Sequence, residues 1–177
     1  MKITIYLASS VNGMISNKRG VPDWLSREYE QGFFSITHET KAVIMGKTTY
    51  NVLAPDYLPL KNEGTMIVLT HDEVKSPQSN LIFTDKSPED VVAILEGRGH
   101  NEAVIIGGTL TASAFLKAGL VDELYLVVEP VLFGTGLPLL KDVDYDYKLI
   151  LSEVRKLNEN TVALRYKLQK MELSVPA

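Results

Sequence analysis

The stretch Ala103-Val-Ile-Ile-Gly-Gly-Thr109 constrains this chain more than any other. Its apolar residues end in two glycines, and Leu110, Ala114 and Ala118 then recur every four positions, the spacing of one helix face. A short strand that passes through Gly107-Gly108 directly into a helix leaves orphan backbone N–H groups beside a small open space. Such a helix start suits an anion, because free donors and the helix dipole both favour negative charge. Glycine also lets a ligand approach the backbone where a Cβ would collide. The same two glycines serve equally as turn chemistry, and the motif alone leaves both readings open.

The arrangement occurs twice. Lys41-Ala-Val-Ile-Met45 reads as a buried strand closed by Gly46, and Lys47-Thr-Thr-Tyr50 starts a helix directly behind it. Lys2–Ala8 is apolar or β-branched at nearly every position, which suits a central strand buried on both faces. A turn at Ser9–Gly13 follows, and Met14-Ile-Ser16 resumes briefly. Ser26 has the character of an N-cap for an amphipathic run through Tyr29, Phe33, Phe34 and Ile36. Thr65–Thr70 and Leu81–Phe83 are further strands, with Pro55 and Pro59 marking an irregular connection before them. Ser87-Pro-Glu-Asp90 is a cap, a first-turn proline and two acids, and the helix it starts should end at Gly97. Gly119 is placed to cap the helix after Gly108.

Asp122–Val128 is the next strand, Phe133–Pro138 a glycine-rich loop, and about Tyr147–Lys156 and Thr161–Gln169 two strands joined by a turn at Asn158-Glu-Asn160. Strands and helices alternate through residue 118, and three strands then follow without helices. That order predicts one α/β domain over residues 1–177, its sheet mainly parallel with an antiparallel C-terminal edge.

Composition removes several functions. There is no cysteine, hence no disulfide, no thiolate nucleophile and no cysteine-ligated zinc. The three histidines, His38, His71 and His100, lack i, i+4 spacing, so no metal site is expected, and His38 and His100 read as surface residues. A net charge of −4 without like-charge blocks disfavours nucleic acid as a partner. No segment reads as a signal peptide or membrane span, so the expected location is the cytoplasm.

Tyr6-Leu-Ala-Ser-Ser-Val-Asn-Gly-Met-Ile15, Val43-Ile-Met-Gly-Lys-Thr-Thr-Tyr50 and Val104-Ile-Ile-Gly-Gly108 resemble, in this order, the motifs of the dihydrofolate reductase-like superfamily. Gly119-Leu-Val-Asp-Glu-Leu124 and Pro130-Val-Leu-Phe-Gly-Thr-Gly136 look most like the reductase domain of the riboflavin-biosynthesis deaminase–reductase. The resemblance implies the three-layer dihydrofolate reductase-like fold, with NADPH across the carboxyl edge of the sheet. It places Ala8 and Ile15 beside the nicotinamide and Gly46, Lys47, Thr48 and Thr49 on the phosphates. Leu69, Thr70 and His71 fall by the adenosine, with Lys47 and Thr70 toward the 2′-phosphate. Ile106, Gly107, Gly108, Thr109 and Leu110 form the second half of the cofactor site, and the Gly-Gly peptide is expected to be cis. Lys47 alternatively reads as a solvated helix residue, and Thr48 and Thr49 as plain caps.

The substrate is left between two types. Dihydrofolate reductases carry a carboxylate on the first helix, and Glu28 is the candidate, with Glu30 close behind. Aligning Trp24 and Phe33 with the family instead puts Tyr29 at the acid's place. Where the riboflavin reductases have an aspartate before the first glycine and a glutamate before Gly-Gly, this chain has Asn12 and Ile106. Asn12 and Trp24 are the candidate substrate contacts, Trp24 serving alternatively as a packing residue over the core. The resemblance favours reduction of the riboflavin-pathway pyrimidine by hydride transfer; the alternatives are a dihydrofolate or other pterin reductase, and an NADPH-binding protein without activity. With no cysteine, the zinc deaminase half is not expected. A homodimer is expected by the same resemblance, touching through Val127-Val128 and Leu132-Phe133.

Overall fold

The computed structural model describes residues 1–54, 58, 64–76, 78–143 and 146–169. The elements run β1 (Lys2–Ser10), β2 (Met14–Asn17), α1 (Arg27–Thr40), β3 (Ala42–Gly46), α2 (Lys47–Leu53), β4 (Thr65–Leu69), β5 (Leu81–Thr84), α3 (Pro88–Gly97), β6 (Glu102–Ile105), α4 (Thr109–Lys117), β7 (Glu123–Glu129), β8 (Gly136–Pro138), β9 (Leu149–Lys156) and β10 (Val162–Leu168). Eight of the strands form one sheet in the order β5-β4-β3-β6-β1-β7-β10-β9. The strands from β5 to β7 in that order pair parallel, whereas β10 pairs antiparallel with both neighbours. The α/β sheet with an antiparallel C-terminal edge is therefore as the alternation of elements implied.

Alternation along the parallel strands divides the core into two layers. Ile3, Ile5, Leu7, Ala42, Ile44, Ile67, Ala103 and Ile105 face α3 and α4 through Val91, Leu95, Ala112 and Phe115. Tyr6, Val43, Met45, Met66, Val68, Val104 and Ile106 face α1 through Phe33, with Tyr50 and Leu53 of α2 beside them. Strands buried on both faces need no polar positions, which explains their continuous apolar runs.

The capping chemistry is local and follows the residues. Ser26 accepts from the Tyr29 N–H at 3.2 Å and Ser87 from the Asp90 N–H at 3.2 Å. Asn158 Oδ1 accepts from the N–H groups of Asn160 and Thr161, which turns β9 into β10. Some boundaries differ from expectation. Lys41 is left-handed, with φ 55°, so it caps α1 and β3 starts one residue later. α3 includes Gly97, and the left-handed glycine behind it is Gly99. Gly119 is left-handed just beyond α4, as expected of a C-terminal cap. Within the expected glycine-rich loop, Gly136–Pro138 is a strand paired with β2; a Cβ on Gly136 would strike the Ser16 carbonyl, so only glycine permits that pairing. His100 is not a free surface residue but half-buried, its Nε2 2.9 Å from Thr65 Oγ1. Pro55 and Pro59 lie outside the described residues.

The residues expected at a dimer contact differ in their exposure. Val127 belongs to the core and Phe133 packs edge-to-face on Trp24, so of that strip Leu132, at 74% exposed, is the one that stands clear.

Candidate active site

The parallel strands end along one edge of the sheet, where an open α/β fold leaves a crevice between successive loops. A cleft of about 1420 Å³ runs there. It is larger than the roughly 300–1,000 Å³ of a typical single-ligand pocket, so it has room for a cofactor and a substrate together.

The floor is the meeting of the two glycine turns. Gly46 N–H donates to the Gly107 carbonyl at 2.8 Å, joining the end of β3 to the segment after β6. The Gly107-Gly108 peptide is cis. A Cβ on Gly46 would come 2.9 Å from Thr111 Oγ1, and one on Gly107 would come 2.9 Å from Thr49 Oγ1. Gly107 also has φ 133°, where L side chains are strained. Glycine at these turns is what lets the starts of α2 and α4 approach each other. Neither helix has a side-chain cap, since Gly46 and Gly108 hold the N-cap positions. Donors at both starts are left facing the cleft.

Ala8, Ile15, Gly46, Lys47, Thr48, Thr49, Leu69, Thr70, His71, Ile106, Gly107, Gly108, Thr109 and Leu110 all line this cleft. Thr48 and Thr49 are not caps. Lys47 is not simply solvated either: its Nζ sits 5.0 Å from the centre of the Phe83 ring, which in turn packs edge-to-face on Tyr50. A cation held over an aromatic face keeps its charge near the cleft.

Strand order spreads the rest of the lining. Leu69–Asp72 and Thr84–Lys86 follow β4 and β5 at one end, while Ala8 and the first turns of α1 occupy the other. β1 and β4 are separated by β6 and β3, hence by about 14 Å. Of the cleft's acids, Asp72 and Asp85 belong to the first end and Glu30 to the second. Lysines 18, 47, 86 and 141 and Arg19 also line the cleft, a local cationic excess in a chain of net charge −4.

The α1 end departs from expectation in two places. Glu28 does not line the cleft. Its Oε2 accepts from Asn158 Nδ2 at 2.8 Å, on the side of α1 that faces the β9–β10 turn, and this bond holds the carboxyl below its ordinary range. Successive helix residues point about 100° apart, so Tyr29 and Glu30 turn into the cleft where Glu28 turns away. Asn12 does not line it either. Its side chain accepts from Ser10 Oγ and from Phe133 N–H and donates to the Phe133 carbonyl, fastening the β1–β2 turn to the loop before β8. Trp24 lines the cleft and packs edge-to-face on Phe133 of the loop before β8, with ring centres 5.1 Å apart.

Tyr29 stacks on Tyr6, ring centres 5.1 Å apart, and Tyr6 donates to the Tyr29 carbonyl at 2.9 Å. Burial pushes the Tyr29 phenol well above its usual value, so it is a neutral donor throughout the physiological range. Behind this wall lies Glu129, 1% exposed, which nothing in the sequence marks beyond its place at the end of a strand. It accepts from Ser26 N–H at 2.9 Å, Ser26 Oγ at 2.7 Å and Thr161 Oγ1 at 3.0 Å. The carboxylate thereby ties the start of α1 to β7 and β10. Among the described residues no cluster of three His, Asp or Glu side chains could hold a metal, and no helix is long and apolar enough to cross a membrane.

Known proteins share this architecture. The chain is 28% identical over 171 residues to the uncharacterized protein YwjB of Bacillus subtilis (strain 168), covering 93% of this chain and 97% of that one. A protein of Shewanella sp. PV-4, provisionally assigned to riboflavin biosynthesis, superposes with a TM-score of 0.79 at 22% identity, over 96% of this chain and 99% of that one. The diaminohydroxyphosphoribosylaminopyrimidine deaminase/5-amino-6-(5-phosphoribosylamino)uracil reductase of Thermotoga maritima gives 0.77 at 20% identity, over 95% of this chain and 56% of that one. Both structures share the fold. Residues 1–163 match the RibD C-terminal domain, and the chain belongs to that dihydrofolate reductase-like family of reductase domains.

Proposed function

We propose that this protein is an NADPH-dependent reductase that passes hydride to a planar pyrimidine-like ring held between β1 and α1. The observation that carries the reading is the joined pair of glycine turns on the cleft floor, with uncapped helix starts on both sides. Reductases of the RibD C-terminal domain family typically use NADPH, and bound nicotinamide supplies the hydride from its C4.

The chain's own residues have separate tasks. Gly46–Thr49 and Gly107–Leu110 receive the diphosphate from two sides, and Lys47 adds a fixed positive charge. Leu69, Thr70 and His71 flank the adenosine, with Lys47 and Thr70 toward the 2′-phosphate. Ala8, Ile15 and Ile106 give the nicotinamide a dry, apolar seat, which strengthens electrostatics at the reacting carbon. Trp24, Tyr29 and Phe33 form walls suited to a flat ring. Orientation between those walls supplies much of the rate.

A second reading, reduction of a pterin, draws on Glu30. It is the carboxylate at the α1 end of the cleft, where an amino-substituted ring would find an acceptor. The first test is titration of the fluorescence of Trp24, the sole tryptophan, with NADPH and with NADH. The expected result is saturable binding with NADPH preferred about tenfold or more, the effect of one additional charge-assisted contact. Absence of binding by either nucleotide overturns the reading. With the cofactor bound, loss of nicotinamide absorbance on adding the ribosylaminopyrimidine or dihydrofolate separates the two substrates.

A further inference from the structure

Under the reductase function proposed above, hydride alone does not complete the reaction. When hydride reaches the carbon of a C=N bond, the electron pair moves to nitrogen, which then needs a proton. The side chains at the α1 end of the cleft differ in what their protons are already doing.

Most of them are committed. Ser16 Oγ donates to the Asn17 carbonyl at 3.1 Å, and Ser26 Oγ donates to Glu129 at 2.7 Å. Arg19 is held on both carboxylate oxygens of Asp23, and a guanidinium does not give up its proton. The Trp24 N–H serves only as a hydrogen-bond donor, and Glu30 is a carboxylate, which accepts. Lys18 stands exposed on the loop after β2.

Tyr29 is different. It heads a row of three tyrosines, lying flat on Tyr6, which meets Tyr125 edge-on with ring centres 5.2 Å apart. The inner two hydroxyls are engaged: Tyr6 donates to the Tyr29 carbonyl, and Tyr125 accepts from Arg155 Nη2 at 3.1 Å. The Tyr29 side chain lines the cleft, and its hydroxyl has no acceptor among the described residues. β1 and β6 stop pairing at Ile5 and Ile105, so on that side the Ala8 backbone meets the cleft in place of a strand. Burial raises the Tyr29 phenol, and the Ala8 backbone acts in the opposite sense, which sets the Ala8 N–H beside the phenol oxygen. A donor there stabilises the phenolate formed when the proton leaves, while the stack on Tyr6 fixes the ring.

We propose that Tyr29 is the general acid of the reduction. As hydride from C4 of the nicotinamide adds to the substrate carbon, the C=N electron pair takes the Tyr29 hydroxyl proton. The C=N bond leaves as CH–NH and NADPH as NADP⁺, and water reprotonates the phenolate once product departs.

The test is a single turnover in which protein loaded with NADPH meets the ribosylaminopyrimidine or dihydrofolate and the nicotinamide absorbance is followed. Tyr29→Phe keeps the ring and its stack and removes only the oxygen. It should slow hydride transfer by about 100-fold or more. Its NADPH affinity, read by Trp24 fluorescence, should stay at the wild-type value, and KM should move less than kcat. Glu30→Gln should show the reverse pattern, raising KM more than it lowers kcat. Undiminished hydride transfer in Tyr29→Phe, or a greater loss of kcat in Glu30→Gln, would overturn the proposal while leaving the reductase function standing. A wild-type protein that oxidises NADPH with neither substrate would overturn that function, and this role of Tyr29 with it.

Discussion

Replacing Glu129 by leucine tests whether the wall of the cleft is held from behind by a single carboxylate. The substitution roughly preserves volume and removes an acceptor. Three donors then lose their partner: Ser26 N–H, Ser26 Oγ–H and Thr161 Oγ1–H. A hydrogen bond to a charged group contributes about 1.5–3 kcal/mol, and a buried donor left unpaired costs about 1–3 kcal/mol. The two hydroxyls can turn toward other acceptors, whereas the Ser26 N–H cannot. Relief from burying the charge offsets part of the loss. The expected net destabilisation is about 4 kcal/mol, a large share of the roughly 5–15 kcal/mol that holds a domain folded. Glu129→Gln keeps an oxygen for Ser26, and Thr161 can accept from its amide, so about 1–2 kcal/mol is expected there. Urea denaturation at neutral pH measures both, with unchanged slopes confirming two-state behaviour. A cycle with Thr161→Val isolates the contact: that change should cost about 1.5 kcal/mol in the wild type and close to nothing once Glu129→Leu has already removed the acceptor. A loss below about 1 kcal/mol for Glu129→Leu, or simple additivity with Thr161→Val, would refute the idea that this carboxylate fastens α1.

Three further outcomes follow from the geometry. Lys47→Ala and Thr49→Ala should each weaken NADPH binding by about tenfold, while midpoints in urea move little; equal nucleotide affinity in the variants would reduce both to structural residues. Gly46→Ala brings a methyl to 2.9 Å from Thr111 Oγ1 and should cost about 1–3 kcal/mol, part of it recovered in the double variant with Thr111→Ala, as read by thermal denaturation. Burial first, and then the nearby charges of Arg98 and Lys41, hold the His100 imidazole below its usual 6.5. The unfolded chain therefore binds more protons than the native one as pH falls through 6.5, and stability should drop in that window and flatten once the folded group titrates. His100→Gln should remove that slope from urea midpoints measured between pH 7 and pH 5, and an unchanged slope would assign it to other groups.

Much of the fold is legible in the chain because its signals are local. Buried parallel strands announce themselves as unbroken apolar runs, and Ser26, Ser87 and Asn158 announce the turns they cap. Both glycine turns are legible for the same reason, each carrying its strand, its glycine and its helix within ten residues. What could not be read depends on distant partners. Glu129 looks like a strand end until Ser26 and Thr161, 103 and 32 residues away, close around it. β8 is three residues long and is a strand only because β2 lies beside it. His100 reads as surface until Thr65 is placed against its ring.

The displaced Glu28 expectation shows how finely such a site depends on helical phase. Glu28, Tyr29 and Glu30 are consecutive, and by sequence alone each competes for the same place over the substrate. Ser26 decides among them. Its side chain caps the helix through the Tyr29 N–H, and its own N–H and hydroxyl are fixed on Glu129, so the first turn of α1 has one rotational setting. Asn158 takes Glu28 out of contention from the far side. Tyr29 then presents a neutral phenol and Glu30 a carboxylate to the cleft. A carboxylate and a phenol ask for different faces of a ring: the first accepts from amino or ring N–H groups, the second donates to a carbonyl or ring nitrogen. A ring that carries both edges, N–H beside C=O, meets both residues at once. Separate substitutions Glu30→Gln and Tyr29→Phe should accordingly each impair turnover of the same substrate, without altering the affinity for NADPH, whose proposed contacts run from Ala8 toward the starts of α2 and α4. Loss of NADPH affinity in either variant would mean that α1 borders the cofactor and that the substrate enters elsewhere.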